Sequence, residues 1–441
     1  MPELVDTVKR NFFVIDSDHL ETVQTRFYGF SVDEHGVVNS NMHDNFQFTP
    51  NNQCGAWTYV ERNNNEIIVH QDHQGSFGLY LFQVNGYFAI SNSFIMLTDF
   101  VKAKYHLTLN NEYAEVMLQP YTMCSLFVED TLAHEIRFVS RHEQVHIDVS
   151  TKTIQVKTNV SSDFSITLDS VEGLHVLDHW VEKWVNIIKT LTQQTENICI
   201  NLTGGMDSRI VFMLFLLAGV SPSTCVSCMQ STNETFDEDF KIASTIVSKY
   251  GFTLNDCNFS QENMCSINID STIKNSFYSK LGMYKHMKFM HVFAQEPIYV
   301  FNGFGGEALK DLWQMLQQTE VEDDIKKYYP ARVVSEYAVN CFYRETEERN
   351  CHGKEIVENF LANVLILSPL MDPMLRKLTL NSRLCKDKNL LYAIIYTRYT
   401  PALLDIPFDS GHAIQKQTVE FAQKLNGHIL SVTNSFNASR S

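Results

Sequence analysis

The chain has 441 residues, too many for one ordinary hydrophobic core, and with 44% hydrophobic and 20% charged residues it has the make-up of a globular protein of two or three domains. Its 35 basic against 51 acidic residues leave a net charge of −16, a surface that repels phosphate backbones and anionic lipid and so argues against nucleic acid or membrane as partners. The longest apolar run, Ile210 to Ala218, is far short of the roughly 20 residues that span a bilayer, no basic-then-apolar leader follows Met1, and the ten scattered cysteines suit reduced thiols, so a cytoplasmic protein is expected.

Residues 1–165 read mainly as β. Leu79–Val84 and Tyr87–Ser91 flank Asn85-Gly86, a hairpin signal because both turn positions need positive φ. Val145, Ile147 and Val149 alternate, a Ser-Thr-Lys-Thr turn follows, and Ile154 and Val156 alternate again. Short helices are expected near 94–103 and 111–118. Near Asp169 the period changes: Leu174, Leu177, Val181, Trp184, Ile188 and Leu191 recur at helical spacing. Three strand–loop–helix units follow. The first runs from Cys199 through Thr203-Gly204-Gly205 into the apolar helix of Ile210–Leu217. The second has Thr224–Met229 as strand and a helix from about Thr235 to Tyr250, with Thr235 and Glu238 as a capping box and Gly251 as stop. After a helical region at 267–294, the third has Ile298–Phe301 as strand, Asn302–Gly306 as loop and Glu307 opening a helix. Beyond residue 320 the pattern is mostly helical, broken by Pro369, Pro373, Pro401 and Pro407. The fold class expected is α/β: a β-rich layered domain over 1–165, then over 166–441 a parallel-sheet domain with a helical C-terminal part. Ligands of such sheets bind at the carboxyl ends of the strands, where both Gly-rich loops would lie.

The loop Thr203–Arg209 carries the chemistry. Backbone N–H groups, two hydroxyls and the Asp207 carboxylate gather at a helix N-terminus, which suits a phosphate chain with its metal. It is neither a Walker loop, lacking Gly-Lys-Ser/Thr, nor a dinucleotide fingerprint, lacking the third glycine. A plain strand-to-helix turn, with glycines that only relieve crowding, is the alternative.

Leu202-Thr203-Gly204-Gly205-Met206-Asp207-Ser208 resembles the Ser-Gly-Gly-x-Asp-Ser pyrophosphate loop of the N-type ATP pyrophosphatases, and within them the asparagine synthetase family, which includes β-lactam synthetases and lasso-peptide cyclases. Asn302-Gly303-Phe304-Gly305-Gly306-Glu307 resembles that family's second loop. Asp72–Tyr80 with Phe88–Ser93, and Asp130–Leu132 through Ile147-Asp148, resemble its glutaminase half, an Ntn-hydrolase-like domain. The resemblance implies that Gly204, Gly205, Met206 and Ser208 cradle the pyrophosphate of ATP with help from Thr203. It places magnesium on Asp207 and Glu307, and the nucleoside against Asn201, Met229, Asn302 and Gly303. The activity implied is adenylation of a carboxylate with release of pyrophosphate, followed by attack of an amine. A hard cation held by one or two carboxylates and phosphate oxygens is consistent with that chemistry.

The chain also departs from the family. Glutaminase halves of this kind begin with a nucleophilic cysteine, whereas this sequence begins Met-Pro-Glu and its first cysteine is Cys54, so glutaminase activity is expected to be absent and the nitrogen to come from ammonia or an amine. Glu307 stands where aspartate is usual. Arg209 replaces a serine and is expected either to reach a phosphate or an anionic substrate or to make a salt bridge on the helix surface. The late catalytic lysine is placed at Lys416. Cys225-Val226-Ser227-Cys228 raises a tRNA-thiolase alternative, against which stand the acidic charge and the four thiolates that clusters normally need. His70 and His73 flank Asp72 and read as a solvated loop rather than a metal site. The run from Glu234 to Asp239 reads as helix-start charge. The expectation is an AMP-forming ligase using ATP and Mg2+ on a small-molecule, glycan-precursor or peptide carboxylate. A catalytically inactive homologue serving as a binding or scaffold subunit is its rival from another class, and the oligomeric state is open.

Overall fold

In the computed structural model the described residues are 10–40, 48–50, 54–118, 129–158, 165–228, 234–256, 264–266, 292–294, 296–306, 309, 348–349, 352–379, 387–409 and 413–438. The fold is mixed α/β, with antiparallel sheets in the N-terminal region, a parallel five-stranded sheet later and helices in the C-terminal part.

The N-terminal strands are β1 (Val14–Asp16), β2 (Arg26–Asp33), β3 (Gly36–Asn39), β4 (Cys54–Arg62), β5 (Glu66–Gln71), β6 (Leu79–Val84), β7 (Tyr87–Ser91), β8 (Ile136–Val139), β9 (Glu143–Asp148) and β10 (Thr153–Thr158). They form a four-stranded sheet in the order β1-β7-β6-β8 and a six-stranded sheet in the order β10-β9-β5-β4-β2-β3. Alternation explains the layering. Leu79, Leu81, Phe88 and Ile90 face Val69, Val145 and Ile147 between the sheets, while Tyr80, Phe82 and Ala89 point the other way, under α1 (Phe94–Val101). The β6–β7 hairpin turns on Asn85 (φ 51°) and Gly86 (φ 84°), as its Asn-Gly pair predicts. The β9–β10 hairpin pairs Asp148 with Thr153, and α2 (Asn111–Leu118) lies where expected.

A short strand, β11 (Ile166–Thr167), then leads into the long helix α3 (Val171–Gln194). Ser170 caps this helix by accepting from the Gly173 amide at 3.0 Å. Leu174, Leu177, Trp180, Trp184, Ile187, Ile188 and Leu191 are buried along it. Next come β12 (Ile198–Asn201), α4 (Met206–Ala218), β13 (Cys225–Cys228), α5 (Glu234–Lys249), β14 (Leu254–Asp256), the pair β15 (Met264–Ser266) and β16 (Val292–Ala294), and β17 (Ile298–Phe301). The C-terminal part adds α6 (Lys354–Leu361), β18 (Val364–Leu367), β19 (Leu378–Thr379), α7 (Leu390–Tyr399) and α8 (Lys416–Ala438).

The five-stranded sheet runs β14-β13-β12-β17-β18, with every pairing parallel. Helix α4 is fully buried from Ile210 to Phe215, apolar all round because it packs between the sheet and the helices α3 and α7. The halves share one core: Phe30, Val32, Cys54 and Ala56 join the same apolar cluster as Trp180, Trp184 and Phe360. At its centre Asp372 is fully buried, accepting from Lys183 at 2.8 Å, Trp184 at 2.8 Å and the Cys54 thiol at 3.3 Å.

Three expectations change. Val292–Ala294 is a strand paired antiparallel with Met264–Ser266, not the end of a helix; residues 267–291 lie outside the described ones. Val364–Leu367, within a stretch read as mostly helical, is the fifth parallel strand. Buried on both faces, it shows no alternation that would mark it as β. Helix α5 begins at Glu234, which puts Thr235 inside the first turn rather than at the cap.

Candidate functional site

The loop between β12 and α4 sits at the carboxyl edge of the parallel sheet, with β12 the middle strand. The Leu202 amide donates to the Ser227 carbonyl at 2.9 Å, carrying the chain one step past the strand. Gly205 is the N-cap, and the loop closes on itself through hydroxyls. The Ser208 Oγ accepts from the Thr203 amide at 3.0 Å and lies 3.0 Å from the Thr203 Oγ1, and the Thr203 Oγ1 accepts a longer bond, 3.3 Å, from the Gly205 amide. The Gly204 amide donates to Asp239 Oδ1 at 2.8 Å. Asp239 lies in the second turn of α5, so the acidic run of that helix is not merely charge at a helix start. One of its carboxylates reaches across to take the loop's Gly204 amide.

The second loop follows β17, the neighbour of β12, and its glycines are needed for contact between the loops. A Cβ on Gly303 would lie 2.7 Å from the Ser208 amide nitrogen and 2.8 Å from the Asp207 Cβ, and one on Gly306 would overlap the Asp207 carboxylate. Asn302 is buried and its side-chain oxygen accepts from the Phe304 amide at 3.2 Å. Ser368, just past β18, donates to the Phe304 carbonyl at 2.5 Å. From α7 the Tyr392 hydroxyl donates to Asp207 Oδ1 and meets the Gly306 carbonyl at 2.9 Å, while the Tyr396 hydroxyl donates to the Met206 carbonyl at 2.6 Å. The two loops and α7 thus meet at Asp207.

Arg209 does neither of the things expected of it. It is completely buried, and its guanidinium donates to the carbonyls of Gly204 (2.9 Å), Leu403 (3.2 Å), Ile406 (2.8 Å) and Pro407 (2.8 Å), with the Phe408 ring 3.9 Å beneath it. Burial lowers its affinity for a proton, opposed by the nearby Tyr396 and Asp409. It is a clamp that ties the loop to the 403–408 segment. That segment brings Asp409 to the loop, where its amide donates to the Gly204 carbonyl at 3.3 Å. Asp207, Asp239 and Asp409 therefore surround Thr203–Gly205. A bare triphosphate would be repelled there, whereas an anion carrying a divalent cation would not.

Of the other residues singled out, Asn201 lies one position before the loop and accepts from the Ser227 hydroxyl at 3.0 Å. Met229 and Glu307 lie outside the described residues. Lys416 opens α8 with its side chain 90% exposed and Glu420 at 3.9 Å. Cys225 and Cys228 do not form a pair: three residues apart on one strand they point to opposite faces, and the sulfur beside Cys225 is that of Cys199, at 3.8 Å. His70 and His73 are not in a solvated loop. His70 meets Glu61 at 3.0 Å and Gln144 at 2.7 Å, and His73 Nε2 donates to the Met371 carbonyl at 2.7 Å. Asp72 between them is fully buried. No cluster of three or more metal-ligating side chains occurs among the described residues, and none of their helices is long and apolar enough to cross a membrane. Tyr392 and Asp409 had no sequence signal, and Asp239 only that of an acidic helix start, because nothing local marks a residue that meets a loop from tens to hundreds of positions away.

No family model matches the chain, and no curated protein matches it. Among solved structures it is similar to glutamine phosphoribosylpyrophosphate amidotransferase from B. subtilis in complex with ADP and GMP. That similarity has 11% identity and a TM-score of 0.20, over 77% of this chain and 76% of that one. Likeness at this level transfers neither fold nor residue roles.

Proposed function

We propose that the protein is an ATP-dependent ligase that adenylates a carboxylate, releases pyrophosphate and passes the acyl group to ammonia or an amine. One observation carries the reading: the Thr203–Ser208 loop, at a half-buried helix N-terminus on the carboxyl edge of the parallel sheet, is packed against a second glycine loop with Asp207 at the seam. In this reading Gly204, Gly205, Met206 and Ser208 hold the phosphates, Thr203 and Ser208 orient the loop, and Asn201, Asn302 and Gly303 bound the nucleoside side. The oxygen-only donor set fits magnesium, with Asp207 as ligand and Glu307 as its proposed companion. When bound, the ion would supply charge neutralisation at the phosphates. The chain's own part is positioning: Tyr392 and Tyr396 fix the first turn of α4, and Arg209 fixes the carbonyl side of the loop.

Glutamine is not the nitrogen source through Cys54. Its thiol is buried against Asp372 and Lys183, and burial and the Asp372 charge push its pKa up, so it does not ionise into a nucleophile. A second reading, a homologue that binds without turnover, draws on Asp207 being engaged by Tyr392 and on Asp239 filling the Gly204 position.

Incubation with ATP, magnesium and pooled acids and amines is expected to yield AMP and pyrophosphate, and Asp207→Asn to abolish the yield. ATP binding without release of pyrophosphate supports the second reading; absence of ATP binding at millimolar concentration with magnesium overturns the ligase reading.

A further inference from the structure

The cysteine expected to matter with Cys228 has a different partner. Cys199 of β12 and Cys225 of β13 are directly opposed in the parallel register, and opposed residues on neighbouring strands have backbones about 4.8 Å apart. That is inside the Cα range a disulfide tolerates. Their side chains leave the same face of the sheet and their sulfurs are 3.8 Å apart, with neither in a disulfide.

The two sulfurs are not equivalent. Cys225 is half-buried and receives the Asn255 side-chain amide at 3.8 Å. Its contact with Cys199, together with the Asn255 hydrogen bond, outweighs burial and pulls its thiol down to about 6. Cys199 is buried, with the Ser227 Oγ 3.1 Å from its sulfur. The arrangement is an accessible attacking thiol over a shielded resolving one, at the root of the strand that feeds the Thr203 loop.

We propose that Cys199 and Cys225 form a reversible dithiol–disulfide modification site whose oxidant is a hydroperoxide. The Cys225 thiolate attacks the terminal peroxide oxygen; an S–O bond forms, the O–O bond breaks, and the departing hydroxide (or alkoxide) takes a proton from solvent. The Cys199 sulfur then attacks the sulfenic sulfur, forming S–S and breaking S–O, and the oxygen leaves as water with the Cys199 proton. Two electrons pass from the two sulfurs to one peroxide, and a small thiol reverses the change by exchange. Cys228, on the opposite face of β13, takes no part. The site stands independently of the ligase reading.

The test uses the full chain reduced, then titrated with hydrogen peroxide and mapped by peptide mass spectrometry without reduction. The expected first product is a peptide linking Cys199 to Cys225, removed by dithiothreitol. In the reduced protein, iodoacetamide labelling of Cys225 is expected to rise through pH of about 6 and to be about two- to fivefold faster at neutral pH than labelling of an unperturbed thiol, because the gain in thiolate is partly offset by its lower nucleophilicity. With Cys199→Ser, peroxide is expected to leave a sulfenic acid on Cys225 that dimedone traps. A first disulfide joining other cysteines, or a Cys225 labelling profile centred near 9, overturns the proposal; both readouts use the unmutated protein and do not depend on the variant folding.

Discussion

The turn Asp72–Gly78 and the loop Thr203–Ser208 are both short, glycine-bearing segments organised around a carboxylate, but the carboxylate is local in one and borrowed in the other. Asp72 is itself part of its turn, fully buried, and accepts from the amides of Trp57 (3.1 Å), Gln74 (2.8 Å) and Ser76 (3.1 Å) and from the Ser76 hydroxyl (3.1 Å). Burial raises its pKa and those four donors oppose the rise. In the Thr203 loop the acceptor for the Gly204 amide comes from Asp239, 35 residues away on another element, and the Gly205 amide has only a long bond. A closed turn spends its donors on its own anion and has none to offer. A loop whose anion is lent by a separate helix exchanges it for a ligand by moving one side chain. Under the proposed function, this is the difference between a structural turn and a loop free to bind a ligand.

The contrast breaks most directly at its two carboxylates. Asp72→Ala strands several buried donors, and the protein is expected to lose about 4 kcal/mol of stability or fail to accumulate folded. Asp239→Ala removes the hydrogen bond to the Gly204 amide, about 1 kcal/mol, and is expected to raise affinity for magnesium-free pyrophosphate several-fold, because a negative charge leaves the loop. Urea unfolding and calorimetry of pyrophosphate binding check the pair. Equal stability losses would mean that the two turns are the same kind of object.

Arg209→Lys comes next. The charge survives, but the planar fork that reaches four carbonyls does not, and a loss of about 3 kcal/mol is expected. Hydrogen exchange should quicken at 203–208 and 403–409 together. Exchange confined to one segment would show that the clamp does not couple them.

His73 sharpens the comparison through pH. Its Nε2 donates to the Met371 carbonyl, and its Nδ1 has no hydrogen-bond partner among the described residues. Burial first, then the charges of Arg376, Arg141 and Lys183, hold its pKa well below the usual 6.5. Above 6.5 the ring is neutral whether the chain is folded or not. Below it the unfolded chain takes up a proton that the folded chain refuses, so stability falls as pH falls, by at most about 1.4 kcal/mol per pH unit, until the folded-state pKa is reached. His73→Gln should flatten that slope between pH 6.5 and 5; an unchanged slope places the acid sensitivity elsewhere.

What the sequence made legible follows the range of the forces involved. The β6–β7 hairpin, α3 and the Thr203–Ser208 strand-to-helix turn are short-range consequences of Asn-Gly, of a helical period, and of Gly-Gly before an apolar run, and all three stand at the expected residues. Val364–Leu367 was not legible, because a strand buried on both faces has no polar beat and borrows its identity from β17. Arg209 was misjudged for a similar reason. A basic residue in the first turn of a helix looks solvent-facing until the 403–408 segment, almost 200 residues later, arrives to supply carbonyls.

The smallest expected effect is at Lys416. Its side chain is almost entirely in solvent, and Glu420, one turn on and 3.9 Å away, is an exposed partner whose attraction water and salt largely screen. Lys416→Ala should therefore leave the unfolding midpoint unchanged, which makes activity the informative readout. If the residue supplies charge to a transition state on the proposed reaction, the AMP-forming rate falls by at least about tenfold while ATP affinity holds, since a group used only in the transition state lowers kcat and kcat/KM together. An unaltered rate removes Lys416 from the site and leaves the positioning done by Arg209 and Tyr392, whose side chains already touch the loops, as the chain's own contribution there.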